Sequence, residues 1–336
     1  MVSDLERTRR IGEFLDRSGW GGATRNPLSG DASFRRYVRL EGGPRPALLM
    51  DAPPPLENVA PFSRVARHLL ALGFSAPEIL AEDVEAGLLV IEDFGDATFN
   101  NALAEGGNET ALYELAVDVL IKLHGNAPER AVPSGLAPYD DEALLGEAFL
   151  LTDWYMPAVL DSLTLPRVRQ SYAESWLQVF SHVHSQAPTL VLRDFHIDNL
   201  MILAAREGVS SCGLLDFQDA LAGAGAYDLM SLLEDARRDI DPDMANRMRA
   251  RYKAAFPNLD HIQFDNAFAV LAAQRHAKVI GIFTRLWLRD GKPGYLVHIP
   301  RLWGLLERAL EHPALEPVAN WFAANLPPQN RGAPNK

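Results

Sequence analysis

The sequence predicts an α+β protein of two lobes, a small β-rich lobe over residues 1–95 and a larger helical lobe over residues 96–326. Three observations carry that expectation. The 336-residue chain exceeds the roughly 250 residues at which single cores tend to split. Short strand-like runs crowd the stretch before Gly95. Beyond it lie long segments of helical periodicity, interrupted by further strand-like runs only over residues 189–217.

Leu5, Ile11, Phe14 and Leu15 recur at helical spacing and Gly19 closes the pattern, which predicts an opening helix. Residues 33–40 alternate, with Phe34, Arg36, Val38 and Leu40 in one register and Arg35, Tyr37 and Arg39 in the other, as a strand does. Apolar runs at 46–52 and 88–94 predict two more strands, with a helix over 59–72 between them. Helices are then expected over residues 111–124, 142–151, 167–185, 244–256, 264–288 and 299–310. Residues 327–336, rich in Pro, Gly, Asn and Gln, predict a frayed tail.

Hydrophobic residues make up 48% of the chain and charged ones 23%, an ordinary globular balance. A net charge of −12 removes the broad attraction to phosphate backbones and anionic lipid, so neither nucleic acid nor a membrane surface is an expected partner. Cys212 is the only cysteine and lies in an apolar run; it suits packing in a reducing compartment and permits no intramolecular disulfide. The first residues lack the apolar core of a signal peptide and no run is long enough to span a bilayer, so a cytoplasmic location is expected.

Chemistry concentrates in Val191-Leu192-Arg193-Asp194-Phe195-His196-Ile197-Asp198-Asn199, an apolar strand running into a polar loop. Asp194 and Asn199 have the spacing of the kinase catalytic loop, where an aspartate accepts the proton of the substrate hydroxyl and an asparagine holds magnesium. Further on, Gly213-Leu214-Leu215 delivers Asp216 to the open end of the hairpin that begins at Asn199. Such an oxygen pair suits Mg²⁺, which takes a few protein oxygens together with phosphates and water. Singly, these residues read as ordinary turn and cap residues. Jointly, in this order and behind a β-rich lobe, they point to phosphoryl transfer from ATP.

Further motifs join them: Leu28-Ser29-Gly30-Asp31-Ala32-Ser33, Val90-Ile91-Glu92-Asp93-Phe94-Gly95, Leu123-His124 and Gly225-Ala226-Tyr227-Asp228-Leu229. With these the sequence resembles the aminoglycoside phosphotransferase and choline kinase-like family over about residues 27–310, whose fold is protein-kinase-like. Ser29 to Tyr37, Met50-Asp51-Ala52-Pro53 and Gln274-Arg275-His276-Ala277-Lys278 look closest to the bacterial anomeric kinases of N-acetylmuramate and N-acetylglucosamine within it. The resemblance implies ATP and Mg²⁺ as cofactors, an amino sugar recovered from the cell wall as acceptor, and Asp194 as the catalytic base. Asn199 and Asp216 would then hold the metal, Ser29, Gly30 and Ser33 would cover the phosphates, and Glu92 and Phe94 would flank the adenine. An aminoglycoside or amino-alcohol kinase of the same fold, or a nucleotide-binding pseudokinase, are the alternatives.

The pattern is broken in places. The strand at 46–52 lacks the lysine that kinases use to hold the α- and β-phosphates. By register, Arg36 is the expected replacement, with Arg35 facing solvent; a structural role would pair Arg36 with Glu57. Leu192 stands where a histidine usually precedes the loop, and His196 is expected either to touch substrate or to serve structure. Arg275, Lys278, Arg285 and Arg289 share one helix side and predict a basic stripe; Arg275 and Lys278 are expected to receive a carboxylate or phosphate, whereas Arg285 and Arg289 read as a solvated face paired with surrounding carboxylates. Glu147 and Trp154, near Asp153 and Tyr155, are further candidates for the sugar ring, against the plainer reading of interhelical packing.

Overall fold

The opening helix Asp4–Arg17 forms because one stripe of it is apolar, and that stripe finds a sheet to cover. Phe14 and Leu15 are buried against Leu40, Leu49, Leu88 and Val90, with Ile11 and Val38 packed at the margin. Gly19 ends the helix at φ +85°, a conformation that costs glycine little. In this computed structural model the described residues are 4–28 and 34–334.

The sheet behind that helix has five antiparallel strands: β1 Thr24–Pro27, β2 Arg36–Glu41, β3 Ala47–Asp51, β4 Ile79–Asp83 and β5 Leu88–Glu92, in the order β1-β2-β3-β5-β4. β2, β3 and β5 fall on the three expected runs. The edge strands β1 and β4 escaped the pattern: β1 is exposed at all four residues and β4 half-buried throughout, so neither shows alternation. Asp51, at the end of β3, is buried and accepts from Arg7 Nε at 2.9 Å, so the helix and the sheet are pinned by charge as well as by apolar contact. The helix Ala60–Ala71 lies between β3 and β4 in sequence, as expected.

Four short strands follow: β6 Thr189–Val191, β7 Leu200–Ile202, β8 Cys212–Leu214 and β9 Leu221–Gly223. β6 pairs with β9 and β7 with β8, both antiparallel. The chain divides into two compact units, Met1–Val119 with Ile197–Ala220, and Leu120–His196 with Leu221–Lys336. That division is not a simple cut at residue 95. The β7–β8 hairpin belongs with the first unit because backbone bonds hold it there: Leu214 N–H to Ser75 O at 2.8 Å and Ile202 N–H to Ala97 O at 2.7 Å.

The second unit is organised by the helix His261–Asp290, 30 residues long and buried on nearly every side. Asp260 caps its start, accepting from Ile262 N–H and Gln263 N–H, and Gly291 at φ +66° ends it. Gly281 lets the helix Asp141–Leu150 approach so closely that a Cβ there would lie 2.3 Å from the Leu150 carbonyl carbon. The helix expected over 167–185 is broken into Pro166–Leu177 and Ser181–His184, while Ala226–Leu233 and Glu316–Asn325 are helices that the periodicity did not reveal. No helix among the described residues is long and apolar enough to cross a membrane. Residues 327–334 are not a frayed tail: Tyr155 Oη donates to Gly332 O at 2.7 Å, and Arg331 reaches Glu307 while lying over the Trp303 ring.

Candidate active site

In the first unit the sheet and the hairpin enclose a hollow of about 370 Å³. Leu48, Ile91, Phe94 and Met201 form its apolar walls, and Arg35, Asn199 and Asp216 are among its polar groups. An apolar slot with a few convergent polar groups is the usual form of a small-molecule site. Phe94 packs on the hairpin where Gly213 leaves room; a Cβ there would stand 2.9 Å from the ring.

Asn199 and Asp216 meet at the mouth of the hairpin, where Leu215 N–H donates to Asn199 O at 3.0 Å. Asp216 takes φ +58°, unusual for a non-glycine residue and a sign that its neighbours fix it. β8 holds it on one side; on the other, Phe217 is fully buried and stacks on Phe62 with ring centroids 5.0 Å apart. Its carboxylate accepts from Gln218 Nε2 at 2.9 Å and lies 3.7 Å from Arg35 Nη2.

The residues expected at the nucleotide fare unevenly. Glu92 and Phe94 line the hollow, although the Glu92 side chain is tied to Arg206. Ser29, Gly30 and Ser33 lie outside the described residues. Arg36 is exposed and lines a different hollow, beside Thr8, Arg25 and Asp51; Arg35 is the one that faces Asn199 and Asp216. The alternation of β2 was read correctly, but its apolar register covers the opening helix and its other register, Arg35, Tyr37 and Arg39, lines the hollow. Glu57 pairs with Arg35 too, at 3.7 Å, instead of with Arg36.

In the second unit Asp194 stands on a turn held from beneath. The Asp228 carboxylate, fully buried in the helix Ala226–Leu233, accepts from Leu192 N–H at 2.7 Å and Arg193 N–H at 2.9 Å. Burial pushes Asp228 up to about 7, with the two N–H bonds pulling the other way. Arg193 adopts φ +69°, and Asp194 N–H closes the turn on Leu192 O at 2.9 Å.

The Arg193 side chain pairs with Glu147. Glu147 also accepts from Lys278 Nζ at 2.9 Å, Gln274 Nε2 at 3.1 Å and Tyr139 Oη. Burial would raise the Glu147 pKa, but Lys278 and Arg193 outweigh it and hold the group down at about 2. Glu147 therefore pairs with both Lys278 and Arg193, a brace behind the Asp194 turn. Arg275 is also buried, 5% exposed, and its Nη1 has no hydrogen-bond partner among the described residues. His196 is buried beside the charges of Asp235, Arg237, Asp194 and Arg275, and burial pushes its pKa below the usual histidine value.

The expected basic stripe does not exist as a surface. Arg275 and Lys278 are buried and Arg285 is half-buried, while Arg289 is exposed and pairs with Asp290 at 2.8 Å, as the solvated, carboxylate-paired reading of that residue expects. Trp154 lies half-buried in a π-helical turn, Leu151–Tyr155, and Tyr155 is core, accepting from Trp303 Nε1 at 2.9 Å. Two larger hollows of this unit, about 500 and 660 Å³, are lined by residues such as His124 and Tyr252 or Arg238 and Arg301; neither includes Asp194. Asp228 and Arg35 were missed as site residues: the first stood in a motif quoted only for its resemblance, the second was assigned to the wrong face.

The chain belongs to the phosphotransferase enzyme family, whose model matches residues 24–263. Its likeness runs further with particular members. It is 34% identical to the N-acetylmuramate/N-acetylglucosamine kinase of Caulobacter vibrioides, over 98% of this chain and all of that one. It is 38% identical to the protein of the same name from Pseudomonas aeruginosa, over 92% of this chain and 94% of that one. Among solved structures, an ADP-bound aminoglycoside phosphotransferase, APH(2'')-Ib, shares the fold with a TM-score of 0.54 at 15% identity, over 92% of this chain and 99% of that one.

Proposed function

We propose that the chain transfers the γ-phosphoryl of ATP to the anomeric hydroxyl of N-acetylmuramate and N-acetylglucosamine, returning sugars recovered from the cell wall to cytoplasmic metabolism. The observation that carries this reading is the shared name of relatives 34% and 38% identical over nearly their whole lengths. ADP in a neighbour of the same fold supports ATP as donor.

Asp194 orients the attacking hydroxyl and accepts its proton. An anomeric hydroxyl is more acidic than an ordinary alcohol, so Asp194 need not be a strong base. The adenine lies along Ile91, Glu92 and Phe94, in the apolar part of the hollow. Asn199 and Asp216 fit magnesium: one amide and one carboxylate oxygen at a hairpin mouth leave the remaining positions to phosphate and water. Bound there, the ion would neutralise charge developing on the phosphates. Asp228 and Glu147 position the Asp194 turn, and transfer depends on positioning more than on proton abstraction.

The test is magnesium-dependent ATP consumption with a panel of sugars, aminoglycosides and amino alcohols, followed by a reducing-end assay on the product. Phosphorylated N-acetylmuramate or N-acetylglucosamine without a reducing end supports the reading. A product that keeps its reducing end removes the anomeric assignment, and transfer only to aminoglycosides or amino alcohols, or no transfer at all, overturns the whole.

A further inference from the structure

We infer that Arg35, the residue just before β2, is the cation that holds the nucleotide phosphates, doing what a lysine on the third strand does in other kinases; this rests on the proposed nucleotide site. β3 reads Ala47-Leu48-Leu49-Met50-Asp51, which offers no cation, and its one charge is committed to Arg7.

Two cations line the hollow among the described residues, Arg35 and Arg39. Arg39 is saturated: it donates to Asp93 at 2.6 and 3.3 Å and to Asp96 at 2.8 and 3.1 Å. Arg35 is not. Its side chain is 13% exposed, its Nε is buried without a hydrogen-bond partner among the described residues, and its carboxylate neighbours Glu57 and Asp216 stand at 3.7 Å, beyond hydrogen-bond range. A largely buried guanidinium with unused donors is a site waiting for an anion.

Position agrees with charge. Arg35 faces the same hollow as Asp216, so a polyphosphate whose metal is held by Asn199 and Asp216 would meet the guanidinium. Its planar fork of donors matches phosphate oxygens two at a time, which a lysine does not. Glu57 steadies it, and the same carboxylate accepts from Phe34 N–H at 3.2 Å, which fixes the backbone just before Arg35. Arg36 points to the other face of the strand and takes no part.

The experiment is calorimetric binding of adenosine, ADP and ATP, with and without magnesium, to the full chain and to Arg35→Ala, Arg35→Gln and Arg36→Ala. Arg35→Ala and Arg35→Gln should weaken ADP and ATP by about 10- to 100-fold, the worth of charge-assisted hydrogen bonds. Adenosine should bind all four proteins alike, and Arg36→Ala should bind ADP as the parent does. Unchanged ADP affinity in a folded Arg35 variant, or a loss that appears with Arg36→Ala instead, overturns the inference. If the parent chain binds no adenine nucleotide, the proposed nucleotide site itself is wrong and the inference goes with it.

Discussion

Gly281→Ala should destabilise this protein, although alanine is the better helix former. The substitution falls inside the helix His261–Asp290, where propensity alone would favour alanine by about 1 kcal/mol. Against that, the new Cβ would lie 2.3 Å from the Leu150 carbonyl carbon and 2.4 Å from its oxygen, where carbon atoms normally stop at about 3.5–4.0 Å. Both are backbone atoms, so no side chain can swing aside and the two helices must part by about 1 Å. Overpacking of that kind costs about 3 kcal/mol, the upper end of its usual range, for a net loss of about 2 kcal/mol. The thermal midpoint should fall by roughly 4–8 °C. Gly146→Ala, on the neighbouring helix with nothing within 4 Å of its Cβ, should instead gain roughly 0.5–1 kcal/mol. The displaced helix also carries Glu147, so turnover should fall by about 10-fold or more as the Asp194 turn loosens. Thermal and urea unfolding of the pair decide it; equal stabilisation by both substitutions would refute the close helix approach.

Asp194→Asn should lower turnover by about 10²- to 10⁴-fold while ATP affinity, measured by calorimetry, stays near that of the parent; normal activity would remove the residue from catalysis. Glu147, held at about 2 against a usual 4.5, has a depressed folded pKa, so its stabilising contribution is present above about pH 4.5 and is lost as pH falls towards about 2. Urea midpoints should therefore drop more steeply over that window in the parent than in Glu147→Gln, which starts lower because it leaves Lys278 and Arg193 poorly paired. Deleting residues 327–336 should destabilise the protein by roughly 1–3 kcal/mol, since it removes the Gly332 bonds to Tyr155 and the Arg331 contacts with Trp303 and Glu307; an unchanged unfolding midpoint would show the docking to be idle.

The sequence by itself determined what local periodicity and chain spacing can carry. Its apolar patterns placed the opening helix, β2, β3, β5 and most of the long helices, because burial on one face imposes a period of 3.6 or 2 on the residues. The spacing of Asp194, Asn199 and Asp216 was legible for a similar reason: a turn and a two-stranded hairpin set it, and both are short-range. Tertiary packing decided the rest. β1 and β4 are edge strands without one buried and one exposed face, so they left no alternation to read. Arg35 and Arg36 were exchanged because alternation reports two faces but not which neighbour each meets, and here the apolar face turned to the opening helix. The aligned cations at 275, 278, 285 and 289 resembled a solvated stripe, yet the helix that carries them is enclosed by the rest of its unit and puts two of them in the core. Residues 327–334, polar in composition, are ordered by partners elsewhere in the chain, Tyr155 Oη on Gly332 from 177 residues away among them. Contacts that long-range leave no mark on the local sequence, because only the folded chain brings them together.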